Sequence, residues 1–454
     1  MVMGLGHVNG DLFDETKSRC LVLAYDYTVL AGTQGGMNHR MQDRMLDVAA
    51  RLRAPVVYFT EGGGGRAGGG SRNAGGSGST SERMGGGGGL ATPTWNKLGR
   101  LSGLVPIIGV NAGRSFAGNA ALLGCCDVII ATENSNIGMG GPAMVEGGGL
   151  GVFRPEEIGP MSVQVPNGVV DIAVKDEAEA VQAAKQYLSY FQGRIDSWEC
   201  RDQRLMRGLI PENRLRVYDI RKVIETLADT GSVLELRRGF GLPMIIAFIR
   251  VEGRPVGVVA NNPVHLSGAI DSAAADKAAR FMQLCDAFDI PLLFLCDTPG
   301  IMVGPEAEKE ATVRHSARMF VVGASVTVPF FTIILRKAYG LGAQTMGAGN
   351  HKLPLFTVAW PTAEFGGMGL EGQVKLGRRR ELEAVEDPAE RMALFDRMVA
   401  QAYERGKALN AAHVFEVEDV IDPADSRRWL LSGLKALPPV LPRDGKKRPC
   451  VDTW

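Results

Sequence analysis

The sequence has no excess of charge of either sign: 50 lysines and arginines stand against 50 aspartates and glutamates. A net charge of zero argues against a surface that wraps nucleic acid or coats a membrane. Cysteine is sparse, seven residues at positions 20, 125, 126, 200, 285, 296 and 450. Cys125 and Cys126 are neighbours and no C-x-x-C pair exists, so neither a zinc ribbon nor a disulfide framework is expected. Reduced thiols in a cytoplasmic protein are the expectation instead. The six histidines (7, 39, 265, 315, 351 and 413) fall at no metal-ligand spacing, and no metal is expected. Apolar runs such as 330–335 are strand-sized, too short to span a bilayer. The start, MVMGLGHVNGD, lacks the basic and apolar regions of a signal peptide. Catalytic signatures are missing too. There is no P-loop, no H-E-x-x-H, no G-x-G-x-x-G at a strand end, and GRSFA at 113–117 lacks the last glycine of a nucleophile elbow. An enzyme built from this sequence must draw its catalysis from the main chain.

What the sequence has in excess is glycine, 59 of 454 residues, well above the usual share of about 7%. Part of that excess is one low-complexity run: 15 of the 28 residues in 62–89 are glycine. Such a run buries no apolar area and is expected to behave as a flexible loop. Elsewhere, 45% hydrophobic residues fit a folded chain, long enough for two or three domains.

The chain repeats itself. V-N-G at 8–10 and V-E-G at 251–253 each adjoin a strand-like stretch, followed by a helical pattern. Met37, Met41, Met45, Val48 and Leu52 form the first helical stripe, and Ala274, Ala278, Phe281, Cys285 and Phe288 the second. Each helix runs through a proline into an apolar strand that ends in an acid and glycine, Glu61-Gly62 in one half and Asp297 to Gly300 in the other. A second strand then opens at Val105-Pro106 and at Val328-Pro329. Two α/β units of like layout are predicted, over 1–200 and 211–454, with the join in the charged stretch 194–212. Asp387-Pro388 and Asp422-Pro423 read as helix starts.

The second strand of each half enters a helix through a turn of small residues. Aligning the two Val-Pro pairs places Gly118 and Asn119 opposite Leu341 and Gly342 without a gap. Successive N–H groups at a helix start, with the local dipole, suit a developing oxyanion.

At these residues the sequence resembles the carboxyltransferase (beta-type) component of biotin-dependent acyl-CoA carboxylases, of the crotonase superfamily. The matching stretches are RSFAGNAALLGCCD at 114–127, GMGGP at 138–142, SGAID at 267–271, CDAFDIP at 285–291, DTPG at 297–300, RKAYG at 336–340, WPTAE at 360–364 and VIDP at 420–423. The family member resembled is propionyl-CoA/long-chain acyl-CoA carboxylase-like, and the wording of 117–127 and 339–344 is most similar to the carboxyltransferase segment of single-chain or long-chain-type acyl-CoA carboxylases. The fold implied is α/β, two tandem crotonase-like β-β-α superhelix domains, the first on the acyl-CoA side and the second on the biotin side. The activity implied moves a carboxyl group from carboxybiotin to the α-carbon of an acyl-CoA. By this resemblance the N–H groups of Gly118 and Asn119 hold the thioester oxygen, and those of Leu341 and Gly342 the ureido oxygen of biotin. Gly63, Gly64, Gly65 and Arg66 match the glycine-rich loop on the CoA side, where Arg66 either meets a phosphate or orders the loop. Ala117, Gly138, Met139 and Gly140 complete the acyl-CoA side; Tyr339, Gly340, Gly366, Gly367 and Met368 form the biotin side. Glu364 reads as structural.

The resemblance also implies partners. Biotin is expected on a biotin carboxyl carrier protein or domain charged by a biotin carboxylase, since the chain has no A-M-K-M-like hairpin and no ATP-grasp signature. Coenzyme A enters as part of the substrate. A homo-oligomer is expected, a dimer within a hexamer, with no nucleic-acid or membrane partner. An enoyl-CoA hydratase needs two carboxylates, but the matching positions carry Ala121 and Gly141. Two alternatives share the same residues: a biotin-dependent decarboxylase and an inactive scaffold subunit. The departures are Leu341 where many relatives carry glycine, Gln344 near a position that tunes acyl-chain choice, a start close to the first strand, and the glycine-rich 67–89.

Overall fold

The computed structural model describes residues 1–65 and 91–454; Arg66 and the low-complexity stretch 67–89 lie outside the described residues. Two compact units emerge, Met1–Gln192 with Arg443–Thr453, and Gly193–Pro442 with Trp454. The expectation from sequence puts the join at 194–212, a little further along, and assigns the whole tail to the second half.

The first unit opens with an antiparallel pair, β1 (Val2–His7) and β2 (Arg19–Ala24), followed by α1 (Gly36–Leu52), β3 (Val56–Phe59), α2 (Thr94–Leu101) and β4 (Ile107–Asn111). Next come β5 (Arg114–Phe116), α3 (Gly118–Gly124), β6 (Val128–Thr132), β7 (Asn136–Gly138), β8 (Ile172–Val174) and α4 (Glu177–Gln192). Its six-stranded sheet runs β1-β2-β3-β4-β6-β8, parallel from β2 onward. The central strands have no exposed residue because both faces are covered, as parallel strands require. β5 and β7 form a separate parallel pair in which Phe116 faces Gly138.

The second unit repeats this order. Its eight-stranded sheet contains β9 (Leu234–Leu236), β10 (Met244–Val251), β11 (Arg254–Asn261), β12 (Leu292–Thr298), β13 (Phe330–Tyr339), β14 (Thr357–Ala359), β15 (Glu364–Gly366) and β16 (Asp419–Val420). Helix α5 (Ser272–Ala287) joins β11 to β12, and α6 (Thr312–Ser325) precedes β13. Helix α7 (Gly340–Thr345) leaves the end of β13. Asp387 caps the helix Pro388–Arg405 by accepting the Glu390 N–H at 2.8 Å, and Asp422 accepts the Ala424 N–H at 3.0 Å. No described helix is long and apolar enough to cross a membrane.

The repeat persists in fine detail. Leu30, Ala31 and Gly32 make a turn with φ of 52°, 51° and 63°; Leu266, Ser267 and Gly268 make its twin with 48°, 54° and 84°. A Cβ on Gly32 would lie 2.4 Å from the Glu61 carbonyl oxygen, and one on Gly268 would lie 2.4 Å from that of Asp297. Only glycine permits that approach.

The stripe predicted for α1 is corrected in part: Met45 and Val48 pack against the core of the first unit. Met37 and Leu52 are exposed, and the helix instead buries Gln42, Asp43, Leu46 and Ala49. The reason is a polar network beneath it. Gln42 Oε1 accepts the hydroxyls of Tyr25, at 3.1 Å, and of Tyr58, while Thr94 Oγ1 donates to Asp43 at 2.6 Å. Each buried group thus has a partner, which removes the cost of burying it. The stripe on α5 is buried as predicted at Ala274, Ala278, Phe281 and Cys285. Of the cysteines, 20, 126, 285 and 296 are buried and all seven thiols are free.

Lys277 on α5 is 1% exposed and donates to the carbonyls of Phe240 at 2.8 Å and Met244 at 2.7 Å. Burial pulls its ammonium from 10.5 down to about 7. Between those values the unfolded chain binds more protons than the folded one, so stability rises as pH climbs from 7 towards 10.5, is lost as pH falls back towards 7, and levels off below it. Lys277→Met is expected to flatten that slope in denaturant unfolding followed across this range; an unchanged slope would mean that other groups set it.

Candidate active site

In the first unit, β5 ends at Phe116 and α3 begins at Gly118, so one residue turns the chain. Ala117 does so at φ 51° and ψ −120°, a region that costs a residue with a side chain roughly 1–3 kcal/mol. Two hydrogen bonds hold it there: its N–H donates to the Gly138 carbonyl at 3.0 Å, and its carbonyl accepts from Ala121 at 2.9 Å. The first N–H groups of a helix have no acceptor one turn back. Among the described residues no acceptor meets the N–H of Gly118 or Asn119. Gly118 is half-buried and Asn119 fully buried, so these donors stand in a low-dielectric setting that strengthens their pull on an anion.

The glycine loop lies against this turn. A Cβ on Gly64, whose φ is +83°, would lie 2.5 Å from the Ala117 Cβ and 3.3 Å from the Gly118 nitrogen. Gly63 donates to the Ala31 carbonyl at 3.0 Å, and Gly65 faces open space. Gly138 packs beside Phe116 and Ile158, and Gly140 beside Met144, whereas Met139 is 71% exposed. Thus Gly63, Gly64, Ala117, Gly118, Asn119 and Gly138 come together, while Met139 turns outward. Glu61, at the end of the strand, accepts the Ala112 N–H at 2.6 Å; burial pushes its carboxyl above the usual range.

The side chain of Asn119 has a role that sequence reasoning missed. Its Oδ1 accepts the Gly64 N–H at 3.0 Å, and its Nδ2 donates to the carbonyls of Thr60 at 3.0 Å and Gly32 at 3.4 Å. The side chain therefore ties the helix start to both the glycine loop and the tight turn. The signal available in the sequence was that Asn119 stands opposite Gly342 in the repeat.

In the second unit α7 starts at Gly340, with φ +55°. A Cβ there would lie 2.7 Å from the Gly367 carbonyl oxygen. Gly342 takes the place of Asn119 and packs directly on the DTPG loop: its Cβ would lie 2.5 Å from the Gly300 carbonyl carbon. The N–H groups of Leu341 and Gly342 meet no acceptor among the described residues. Leu341 is 60% exposed, so its side chain does not fill the turn. A cleft of about 910 Å³ is lined by Gly340, Ala343, Gln344, Gly366, Gly367 and His351, among others. Tyr339 is 3% exposed and donates its hydroxyl to Glu364 at 2.9 Å, and Met368 is 40% exposed; neither belongs to the cleft lining. Burial raises the Glu364 carboxyl above its ordinary range.

An ion cluster anchors this end of β13. Asp297, fully buried, accepts from Arg336 Nε at 3.1 Å and from the Lys337 N–H at 3.1 Å. Lys337 Nζ reaches the Ser267 carbonyl at 2.8 Å. Among the described residues no group of His, Cys, Asp and Glu is arranged to hold a metal ion.

Residues 1–438 match the family described as the carboxyl transferase domain. This chain belongs to that family. The carboxyl transferase domain seen here is 35% identical over 351 residues to the methylmalonyl-CoA carboxyltransferase 12S subunit of Propionibacterium freudenreichii subsp. shermanii, covering 74% of this chain and 65% of the relative. It is 29% identical over 449 residues to the propionyl-CoA carboxylase carboxyltransferase subunit of Haloferax mediterranei, covering 96% and 82%. Among solved structures, a single-chain, multi-domain long-chain acyl-CoA carboxylase superposes with a TM-score of 0.87 at 56% identity, covering 95% of this chain and 41% of that one. The transcarboxylase 12S structure with methylmalonyl-CoA bound gives 0.83 at 29% identity, covering 98% and 83%. The chain spans less than two thirds of the 12S subunit as matched by sequence, and about two fifths of the long-chain carboxylase. The crotonase-like α/β fold in two units agrees with the resemblance read from the sequence.

Asn119→Ala keeps the N–H at 119 and removes the side-chain ties. Leaving the buried Gly64 N–H unpaired is expected to cost about 1–3 kcal/mol of stability, measured by denaturant unfolding; no loss would show the ties to be idle.

Proposed function

We propose that this carboxyl transferase domain moves a carboxyl group from carboxybiotin to the α-carbon of an acyl-CoA. One observation carries the reading: the chain builds the same strand-to-helix turn twice, each with two main-chain N–H groups that meet no acceptor among the described residues. Two anions develop in such a transfer, and each needs its own donors.

On the acyl-CoA side, Gly118 and Asn119 hold the thioester oxygen as the α-C–H bond breaks and its electron pair passes into the enolate. The enolate carbon would then form the new bond to the carboxyl carbon, whose bond to the biotin nitrogen would have broken with its electron pair left on that nitrogen. Gly63, Gly64 and Gly65 let the main chain lie close to the thioester. Ala117, Gly138 and Gly140 form walls without acid or base, the exposed Met139 is assigned only to the rim, and Arg66 is assigned to the CoA side. Ala121 and Gly141 leave no carboxylate to add water across a double bond.

The second unit suits the biotin ring. The cradle at Gly340 and Gly366 is one that a Cβ would fill, at 2.7 Å from the Gly367 oxygen and 2.8 Å from Leu370 Cδ2. Leu341 and Gly342 would hold the ureido oxygen, with Gly340, Gly366 and Gly367 around the ring and Tyr339 and Met368 supporting them from outside the cleft lining. When bound, carboxybiotin supplies the carboxyl group and then the base for the α-proton. A biotin carrier and a biotin carboxylase, as other chains or as other parts of a longer polypeptide, are the partners proposed. The 12S relative assembles as a hexamer, and a homo-oligomer is proposed here.

The test is carboxyl transfer by the purified chain with biotin carboxylase and biotinylated carrier, across short and long acyl-CoAs; no transfer to any of them would refute the reading. Leu341→Pro deletes one N–H at a helix start, where proline is tolerated. It is expected to lower kcat about 100-fold, while Leu341→Ala, which keeps the N–H, retains activity. Equal activity of the two variants would refute the role given to the second N–H pair. Gly118→Pro is expected to abolish turnover, and because a Cβ at 118 would lie 2.4 Å from Gln34 Oε1, Gly118→Ala, which adds that Cβ but keeps the N–H, is the control and is expected to retain more activity.

A further inference from the structure

The Gln34 carboxamide lies against Gly118. Its main chain is fixed by an N–H donated to the Gly64 carbonyl at 2.7 Å and by a bridge to Gly65. Its side chain is 4% exposed, and Oε1 lies 2.4 Å from where a Cβ on Gly118 would be. Nε2 is buried and has no hydrogen-bond partner among the described residues. The Tyr25 hydroxyl, which donates to Gln42 at 3.1 Å, also interacts with the Gln34 amide but makes no hydrogen bond of ordinary geometry with it.

An unmade buried donor is costly, and the second repeat avoids it. There the matching residue is Ile270, fully buried, with the same main-chain ties: an N–H donated to the Gly300 carbonyl at 3.0 Å and a bridge to Ile301. An apolar side chain therefore satisfies the fold at this position in the second repeat, whereas in the first the amide has the Tyr25 hydroxyl beside it. Rotation about the last side-chain bond exchanges Oε1 and Nε2, so an N–H can be turned towards an oxygen held at Gly118.

We infer that Gln34 is a catalytic residue of the first anion hole, giving a side-chain N–H to the acyl-CoA carbonyl oxygen beside the main-chain N–H groups of Gly118 and Asn119. This rests on the carboxyl-transfer reading and adds a residue to it. It also makes the two holes unequal: the acyl side has three donors, while the biotin side has two.

The test compares the wild-type chain with Gln34→Ile, which copies the second repeat, and Gln34→Glu, which keeps the shape but removes the donor. Loss of one oxyanion donor is expected to lower kcat about 100-fold in Gln34→Ile and at least as far in Gln34→Glu, with KM changed less than about threefold. Binding of two CoA analogues gives a readout separate from turnover. A nitronate that mimics the enolate should bind about 100-fold more weakly to both variants, whereas a thioether without the carbonyl oxygen should bind equally well to all three proteins. Wild-type kcat in Gln34→Ile, or equal losses for the two analogues, would overturn the inference. If the wild-type chain transfers no carboxyl group, the carboxyl-transfer reading fails while the analogues still report on Gln34; wild-type binding of neither analogue would overturn both. Should Gln34→Ile fail to fold, the same comparisons are made with Gln34→Glu, and wild-type kcat there overturns the inference equally.

Discussion

A methyl group on Gly64 would lie 2.5 Å from the Ala117 methyl, and one on Gly342 would lie 2.5 Å from the Gly300 carbonyl carbon. Main chain therefore touches main chain at both turns, and the surrounding structure is arranged to allow it. Gly32 and Gly268 bring the tight turns onto the Glu61 and Asp297 carbonyls, and those strand ends set the position of the following loops. Donors fixed in this way do not reorganise as charge develops, which is the physical basis of their catalytic value.

The two halves reach this contact by different means. In the first, a polar side chain fills the space: Asn119 binds Gly64, Thr60 and Gly32, and Ala117 bears a strained turn. In the second, glycine at 340 and 342 removes the side chains, and an ion cluster around Asp297 fixes the strand end. The same geometry is thus held by amide hydrogen bonds on one side and by buried charge on the other. Gln34 and Ile270 continue this divergence at a position where the fold itself accepts either residue.

Much of the fold was legible. Proline-led apolar strands ending in an acid and glycine recur in both halves, and β3 and β12 lie where Val56 and Leu292 begin those runs. Helix α5 buries its alanine-rich stripe because it is packed on all sides. Helix α1 defeated the same rule. Its methionines sit at helical spacing, yet the buried face carries Gln42 and Asp43, since Tyr25, Tyr58 and Thr94 offer them partners from other elements. Periodicity registers hydrophobicity along one helix and cannot register a hydrogen bond supplied by a residue outside it.

By itself the sequence determined that the chain folds as two like α/β units, and it pointed to main-chain donors as the seat of the proposed chemistry. Gapless spacing from Val-Pro to each turn marked those donors, and the usual side-chain catalytic signatures were missing. Tertiary structure alone decided what encloses them: the Asn119 ties, the Asp297 cluster and the Gln34 amide over Gly118. Each depends on residues far apart in the chain meeting at close range, and that meeting is fixed by how strands pair and loops pack rather than by any local pattern.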